Sequence, residues 1–250
     1  MEKIVITGGE PLSGNIKIGG SKNAILPIMA ACILTDEPIH LTNVPNLHDI
    51  LTMTKVLVSL GVDADSSNLN NNEMTICYKE SDKSIAEYDL VRKMRASVLI
   101  LGPLLARKKE ASVSLPGGCA IGARPIDIHI DALKKLGAEF SLDGGYVNCK
   151  APNGLKGNKV DLKKISVGAS ENIIMAATLA EGESEINNIA IEPEVIDLIT
   201  CLKSMGSQIE FTEERKILVQ GKESLSGTTH DIIPDRIETG TYMIAGALIG

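Results

Sequence analysis

Aromatic side chains are scarce in this sequence. Its 250 residues include no tryptophan, two phenylalanines and four tyrosines. The interior must therefore be built from Ile, Leu, Val, Ala and Met. Apolar residues still make up 44% of the chain and charged residues 23%, as in ordinary soluble globular proteins. The length suffices for one large domain or two small ones.

The sequence also lacks an excess of basic residues. Its formal net charge is −7, which argues against a general nucleic-acid binder, because such proteins present a basic surface stripe. Small anionic ligands are not excluded, since a few well-placed Arg and Lys side chains reverse the field locally. We expect small-molecule ligands, no nucleic acid and no obligate protein partner.

Long apolar runs are absent as well. The best run, residues 29–34, falls far short of the roughly 18 apolar residues of a membrane span, and the first residues contain no apolar stretch of signal-peptide length. Five cysteines without a CxxC pair, and four histidines without ligand spacing, indicate neither a disulfide framework nor a zinc site. The sequence thus predicts a reduced cytoplasmic protein without a metal, a cofactor or a membrane association.

Internal repetition organises the chain. Three segments (21–65, 94–142 and 170–211) share one plan: a small-residue apolar helix, a strand, a turn, a second helix ending in glycine, and another strand. The closing glycines are Gly61, Gly137 and Gly206. Glycine suits the left-handed cap at a helix C-terminus, where a Cβ would clash. The pattern predicts an α/β protein of three similar units.

Shorter echoes support the repeat. Pro11–Gly14, Gly154–Gly157 and Ser224–Gly227 resemble one another and precede predicted strands. After Gly227 a fourth unit begins with another small-residue helix, at residues 241–250, whose partner elements do not follow. A helix of this kind would leave an apolar face uncovered. We therefore expect the sequence to cover only part of the fold that its repeat predicts.

Polar clusters occur at matching places in the repeats, at the start of the first helix of a unit: Ser21–Asn23, Lys93–Ser97 and Lys164–Ser170. Helix N-termini carry unpaired N–H groups and a partial positive charge, so they suit phosphates, and a nearby Lys or Arg adds a charge-assisted contact. One such cluster is more often a solvated helix start. Three at equivalent positions favour an anion site.

A fourth cluster, Leu115–Pro125, contains three glycines that give a loop unusual backbone freedom. Cys119 is the one cysteine in such a loop, whereas the others fall in apolar helices or strands, where thiols usually pack. Arg124 could lower the thiol pKa or hold an anion, although a loop cysteine can equally be a bystander. No GxGxxG follows a strand and no Walker pattern is present, so a dinucleotide site is disfavoured.

Together these stretches resemble the family of UDP-N-acetylglucosamine 1-carboxyvinyltransferases, the enolpyruvyl transferases that commit UDP-N-acetylglucosamine to peptidoglycan synthesis. The matching segments occur in the family's order along nearly the whole chain: 14–34, 88–97, 115–129, 165–170 and 234–241. The resemblance implies an inside-out α/β barrel of βαβαββ-like repeats. Residues 21–231 would form one complete domain, and 1–20 with 232–250 would form part of a second, across a cleft.

The resemblance also implies roles for individual residues. Cys119 would be the catalytic proton donor, able to add to phosphoenolpyruvate and to react with the antibiotic fosfomycin. Lys22, Asn23 and Arg124 would contact phosphoenolpyruvate. UDP-N-acetylglucosamine would be bound by Arg95, Arg124, Pro125, Ile126, Asp127, Ile128, Lys164, Ile165, Ser166, Val167 and Gly168. Asp235, Arg236 and Glu238 would lie at the hinge or cleft.

Two departures and two alternatives remain. Ile191 stands where the family often carries arginine, and the family's general base and further arginines fall outside this sequence, so we expect the chain alone to be inactive. The sister transferase acting on shikimate 3-phosphate shares the fold but does not use a PGGC cysteine, which Cys119 disfavours. A fragment that binds UDP-sugar without turnover is the non-catalytic alternative.

Overall fold

The computed structural model describes residues 3–5, 7–9, 11, 13–79, 81, 95–114 and 126–249 of the chain. Within them each predicted unit contains the predicted order of helices and strands. Unit one comprises α1 (Lys22–Ala31), a 3-10 turn (Cys32–Leu34), β1 (Ile39–Thr42), α2 (His48–Ser59), β2 (Val62–Asp65), a 3-10 turn (Leu69–Asn71) and β3 (Met74–Tyr78).

Units two and three repeat this arrangement. Unit two comprises a 3-10 helix (Arg95–Ile100), α3 (Leu101–Lys108), β4 (Glu110–Ser114), α4 (Asp127–Lys135), β5 (Glu139–Asp143) and β6 (Tyr146–Lys150). Unit three comprises β7 (Lys159–Asp161), α5 (Val167–Ala177), β8 (Glu183–Asn187), α6 (Pro193–Ser204), β9 (Gln208–Glu213) and β10 (Lys216–Gln220). After these follow β11 (Thr228–Asp231) and α7 (Arg236–Ile249).

The strands of each unit form their own sheet, and β11 joins the sheet of unit one. The strand orders are β11-β1-β3-β2, β4-β6-β5 and β7-β8-β10-β9. In the two four-stranded sheets a parallel pair stands at one edge, β11 with β1 and β7 with β8. The described strands thus form three separate sheets and no closed barrel, so the fold is inside-out in the sense that helices occupy its centre.

Helices α1, α3 and α5 form that centre. Residues 24–31 of α1 and 169–177 of α5 are all buried, and α3 packs against α5. Alanine and glycine let these helices approach closely, which explains their composition. The sheets cover the helices and keep a solvent face: in β9, only Ile209 is buried. This arrangement confirms the expected α/β repeat fold.

The glycines predicted to end helices do so. Gly61, Gly137 and Gly206 have φ values of +100°, +95° and +94°, the left-handed region that side chains disfavour. Two echoed glycines also occupy equivalent places. A Cβ on Gly157 or Gly227 would lie 2.3 Å from the carbonyl oxygen of Glu183 or Pro38, respectively. These close approaches give the sequence echo a structural cause.

The last helix, α7, differs from the central helices α1, α3 and α5 in its exposure. Several large apolar side chains of α7 are exposed, including Met243 at 70%, Ile244 at 63% and Leu248 at 77%. The apolar face predicted for this segment is therefore uncovered. No helix in the described part of the chain combines the length and apolar character needed to cross a bilayer.

Candidate functional site

Two matching serines cap the helices that begin predicted site segments. Ser21 Oγ accepts a hydrogen bond from Ala24 N at 3.3 Å at the start of α1, and Ser166 Oγ accepts one from Ala169 N at 3.4 Å at the start of α5. Such caps fix where a helix begins and leave neighbouring N–H groups free for an anion. Both segments are helix N-termini, as their sequences predict.

Lys22 and Asn23 form the first turn of α1. Lys22 Nζ lies 3.1 Å from Asp49 Oδ2, and the two side chains are 41% and 42% exposed. Asn23 is exposed. An ion pair this open to water contributes at most about 1 kcal/mol. The ammonium group can therefore exchange Asp49 for an anionic ligand at little cost.

The helices that begin at Asp127 and Val167, α4 and α5, pack against each other. Ile126 and Ile128 are half-buried and Asp127 is exposed, at the start of α4. From the next residue, the His129 ring reaches Gly168: its Cε1 lies 3.2 Å from where a Cβ on Gly168 would stand. The first turns of two helices that carry predicted site segments thus lie close together.

The segment that begins with Arg95 is held against the same helix. Asn172 Nδ2 of α5 donates to the carbonyl oxygen of Val98 at 2.9 Å. The 3-10 helix that starts at Arg95 also packs against α1. The structure therefore brings the backbone of three predicted segments around α5, and α1 joins them through the 3-10 helix.

Other predicted residues fall differently. Lys164 and Ile165 are exposed just before α5, and Val167 is half-buried in its first turn. The side chain of Arg95 lies outside the described residues, as do Cys119, Arg124 and Pro125 entirely. The predicted roles of these four residues stay predictions.

Asp235, Arg236 and Glu238 lie at the start of α7, where this helix contacts the segment that precedes α1. Asp235 Oδ1 caps α7 by accepting from Ile237 N at 2.7 Å and Glu238 N at 3.1 Å. Glu238 Oε2 accepts from Gly19 N at 2.9 Å. Asp235 N donates to the Gly19 carbonyl at 2.9 Å. The start of α7 is thereby fixed to the segment that leads directly into the Ser21 cap.

A buried carboxylate cluster adjoins this junction, and sequence reasoning missed it. Arg236 Nε donates to Glu194 Oε1 at 2.9 Å. Glu171 is buried in α5, and its burial, with the charges of Glu194 and Glu192 nearby, raises the pKa of its carboxyl well above the usual value. One oxygen of each of the three glutamates has no hydrogen-bond partner in the described structure. A lone acid in the apolar helix 170–180 was the available signal.

The four cysteines assigned to packing are buried, namely Cys32, Cys77, Cys149 and Cys201. Burial raises the pKa of the Cys149 and Cys201 thiols to about 12 and that of Cys32 further. Thiols with such pKa values are poor nucleophiles at neutral pH. Their interpretation as packing residues is confirmed.

The fold consists of three repeated α/β units, with helix N-termini gathered around α5. Proteins with this arrangement are known. Residues 6–250 match the family model described as EPSP synthase (3-phosphoshikimate 1-carboxyvinyltransferase), and the chain belongs to this family. Within it, the chain is similar over its whole length to proteins named UDP-N-acetylglucosamine 1-carboxyvinyltransferase. Those of Dinoroseobacter shibae and Ruegeria pomeroyi are 54% and 52% identical to it. Both alignments cover 100% of this chain and 59% of the relative.

Solved structures agree on the fold. The enolpyruvyl transferase NikO from Streptomyces tendae superposes with a TM-score of 0.85 at 23% identity, covering 97% of this chain and 57% of that one. An EPSP synthase from Acinetobacter baumannii gives a TM-score of 0.75 at 21% identity, covering 95% and 53%. The expected enolpyruvyl transferase fold is therefore confirmed, and the chain spans less than two thirds of each of these relatives.

Proposed function

We propose that this chain is part of an enzyme that transfers the enolpyruvyl group of phosphoenolpyruvate to the 3-hydroxyl of UDP-N-acetylglucosamine and releases phosphate. The observation that carries the proposal is the meeting of the first turns of α4 and α5, where the His129 ring lies against Gly168, because neighbouring helix N-termini suit a diphosphate. The names of relatives more than half identical to the chain support the same reaction.

In this proposal the diphosphate of the sugar nucleotide lies at the start of α5. Backbone N–H groups of Val167 and Gly168 would donate to it, and Lys164, exposed just before the helix, would add a charge-assisted contact. Arg95 and Arg124 would reach the same phosphates. Pro125, Ile126, Asp127 and Ile128 would hold the uridine, with Ile165 and Ser166 completing the loop.

Phosphoenolpyruvate would be held by Lys22, Asn23 and Arg124. Cys119 would protonate its methylene carbon, creating a cationic centre at the neighbouring carbon. The sugar 3-hydroxyl would attack that centre and lose its proton to a base elsewhere in the protein. The adduct would then lose phosphate and a proton from the former methylene carbon, which restores the carbon–carbon double bond. Cationic side chains would stabilise the charge of the departing phosphate.

We further propose that residues 21–231 form one domain and that 1–20 and 232–250 belong to a second. The exposed apolar side chains of α7 support this division, because they need a covering partner. The cleft would then pass the Gly19–Asp235 junction. A cytoplasmic place, a role at the first committed step of peptidoglycan synthesis and thus in cell shape and division, and sensitivity to fosfomycin belong to the same proposal.

The family description prints the sister activity on shikimate 3-phosphate, and that is the second candidate. A UDP-sugar acceptor is favoured because two relatives bearing the UDP-N-acetylglucosamine name are 54% and 52% identical to the chain, whereas the aligned EPSP synthase structure is 21% identical. For the 250 residues alone, binding of UDP-sugar without turnover is the expected behaviour.

Phosphate release by the complete gene product tests the proposal. We expect turnover of phosphoenolpyruvate with UDP-N-acetylglucosamine, none with shikimate 3-phosphate, and loss of at least about a hundredfold in the C119A variant, the scale of a lost general acid. C149A, which removes a buried thiol from the outer sheet, serves as the matched control. Turnover of shikimate 3-phosphate in place of the UDP-sugar would overturn the assignment.

A further inference from the structure

Asn172 sits where three segments of the site meet. It is fully buried in α5. Its Oδ1 accepts from the backbone N–H of Gly102 at 2.7 Å, its Nδ2 donates to the carbonyl oxygen of Val98 at 2.9 Å, and Nδ2 also lies 3.0 Å from His129 Nδ1. One amide thus joins the 3-10 helix that begins at Arg95, the start of α3 and the start of α4.

The backbone partners determine which way the amide points. The Gly102 N–H can only donate and the Val98 carbonyl can only accept, so the oxygen and nitrogen of Asn172 cannot be exchanged. The second hydrogen on Nδ2 then points at His129 Nδ1. That nitrogen must accept, so it carries no proton, and the hydrogen of a neutral ring resides on Nε2.

The surroundings of His129 favour the neutral ring. The residue is 8% exposed, and burial lowers its pKa to about 4 in spite of the nearby Asp127 carboxylate. Protonation of Nδ1 would also direct its hydrogen at the hydrogens of Asn172 Nδ2. The ring is therefore a neutral donor at pH 7, through Nε2.

The free edge of the ring faces the start of α5. A Cβ on Gly168 would lie 3.2 Å from His129 Cε1 and 3.5 Å from Nε2. Gly168 is the second residue of the helix, where backbone N–H groups are not used within the helix. The imidazole N–H thus stands beside the N–H groups that suit an anion.

We propose that Asn172 is a positioning residue of the site: it holds His129 as the Nε2–H tautomer and so places a hydrogen-bond donor beside Gly168 for the substrate diphosphate. The inference rests on the proposed function, because that function puts a diphosphate at the start of α5. The same amide fixes the 3-10 helix that begins at Arg95, so it holds this helix and the start of α4 in place relative to each other.

Nitrogen-15 NMR of the histidine rings in the complete wild-type gene product tests the tautomer directly. We expect His129 to show the Nε2–H form with an unprotonated Nδ1 at neutral pH, and UDP-N-acetylglucosamine to shift its Nε2–H signal. In N172D the new oxygen accepts from the ring, so Nδ1 becomes protonated. His48, which is exposed, is the internal control. An Nδ1–H ring in the wild type would overturn the inference.

Binding of UDP-N-acetylglucosamine, measured by calorimetry, tests the positioning role. We expect N172A to weaken binding about tenfold or more, as loss of a hydrogen bond to a charged group does, and to weaken it by a clearly smaller factor in the H129A background, where only the contact with the 3-10 helix is still lost. N148A, which removes an amide from β6, should leave the affinity unchanged. Equal losses in both backgrounds would show that Asn172 acts independently of His129 and overturn the proposal.

The two proposals fail in different ways. If the wild-type protein binds no UDP-N-acetylglucosamine, the proposed function is wrong and the diphosphate role of His129 falls with it. If the wild type binds but the Nε2–H signal does not respond to the ligand, the function stands and the role assigned to Asn172 and His129 is wrong.

Discussion

Glu194 holds Arg236 across two helices: its buried Oε1 accepts from Arg236 Nε at 2.9 Å, so the second residue of α6 is tied to the first of α7. The carboxylate is 3% exposed and the guanidinium 50%. Loss of the arginine should therefore cost more stability than loss of the glutamate, because it would leave the buried carboxylate with its full desolvation penalty and no partner.

Removing that arginine should destabilise the protein. We expect R236A to lower the free energy of unfolding by about 1 to 2 kcal/mol, less than for a wholly buried pair because water screens the half-exposed guanidinium. Urea denaturation measures the change. E194Q keeps the acceptor while removing the buried charge, so R236A should cost less in the E194Q background. An equal cost in both backgrounds would contradict the ion-pair explanation.

Glu171 should make stability fall as pH rises. Its pKa in the folded protein is raised well above the usual value of 4.5, so the folded state retains a proton that the unfolded chain has lost. The folded state then loses stability as the pH climbs from 4.5 towards the folded pKa. We expect E171Q to unfold at higher temperature than wild type at pH 8, with a smaller gain at pH 4.5.

Glu185 provides the opposite control. Hydrogen bonds from Asn187, Lys216 and Lys159 lower the pKa of its carboxyl from 4.5 to about 2. Its contribution is therefore present above pH 4.5 and is lost as the pH falls towards 2. E185Q should lower the thermal midpoint at pH 8, whereas E171Q raises it. A midpoint that falls in E171Q as well would show that the assignment of Glu171 is wrong.

A side chain at position 168 should weaken substrate binding but should not impair folding. In G168A the new Cβ would stand 3.2 Å from His129 Cε1, so the ring must move and its donor shifts. We expect the affinity for UDP-N-acetylglucosamine to fall about tenfold. Stability should hold or rise by about 0.5 to 1 kcal/mol, because alanine favours a helix over glycine. Titration calorimetry and urea melts on the same variant separate the two effects.

Fosfomycin should label one cysteine. Cys32, Cys77, Cys149 and Cys201 are buried, so the epoxide has access to none of them in the folded protein. We expect peptide mapping of the complete gene product to locate the adduct at Cys119, and C119S to remove it. An adduct on any of the four buried cysteines in native protein would contradict the proposed catalytic role.

The sequence predicted most of the helices because their signals are local. Apolar spacing fixed α1, α5 and α6, and the glycines at 61, 137 and 206 marked three helix ends through their left-handed backbone. Strand β10 was not read from the residue pattern, and β3 and β6 were read only as strand-like runs around Cys77 and Cys149, outside the repeated plan. All three are inner strands of their sheets, and pairing on both sides selects them, whereas such short mixed segments carry little signal of their own.

Segments of the site were predicted better than its contacts. Ser166 and Ser21 were found because a polar residue before an apolar helix is a local cap signal. The pair of His129 with Asn172 joins residues 43 positions apart, and each looks unremarkable in its own helix. Glu171 became meaningful only once folding placed it beside Glu192 and Glu194, since burial and neighbouring charge are properties of the tertiary structure.

The pairing of β1 with β11 bears on how the polypeptide acquires this shape during synthesis. Ile39 stands opposite Thr228, and Thr42 opposite Asp231, so the edge of the first sheet is supplied by residues that are translated much later than β1. The opening unit must wait with that strand edge unpaired while almost 200 further residues emerge (Thr42 and Asp231 are 189 apart). Such distant closure slows folding and exposes the waiting edge to aggregation, so chaperone dependence of newly made protein is the expected physiological cost.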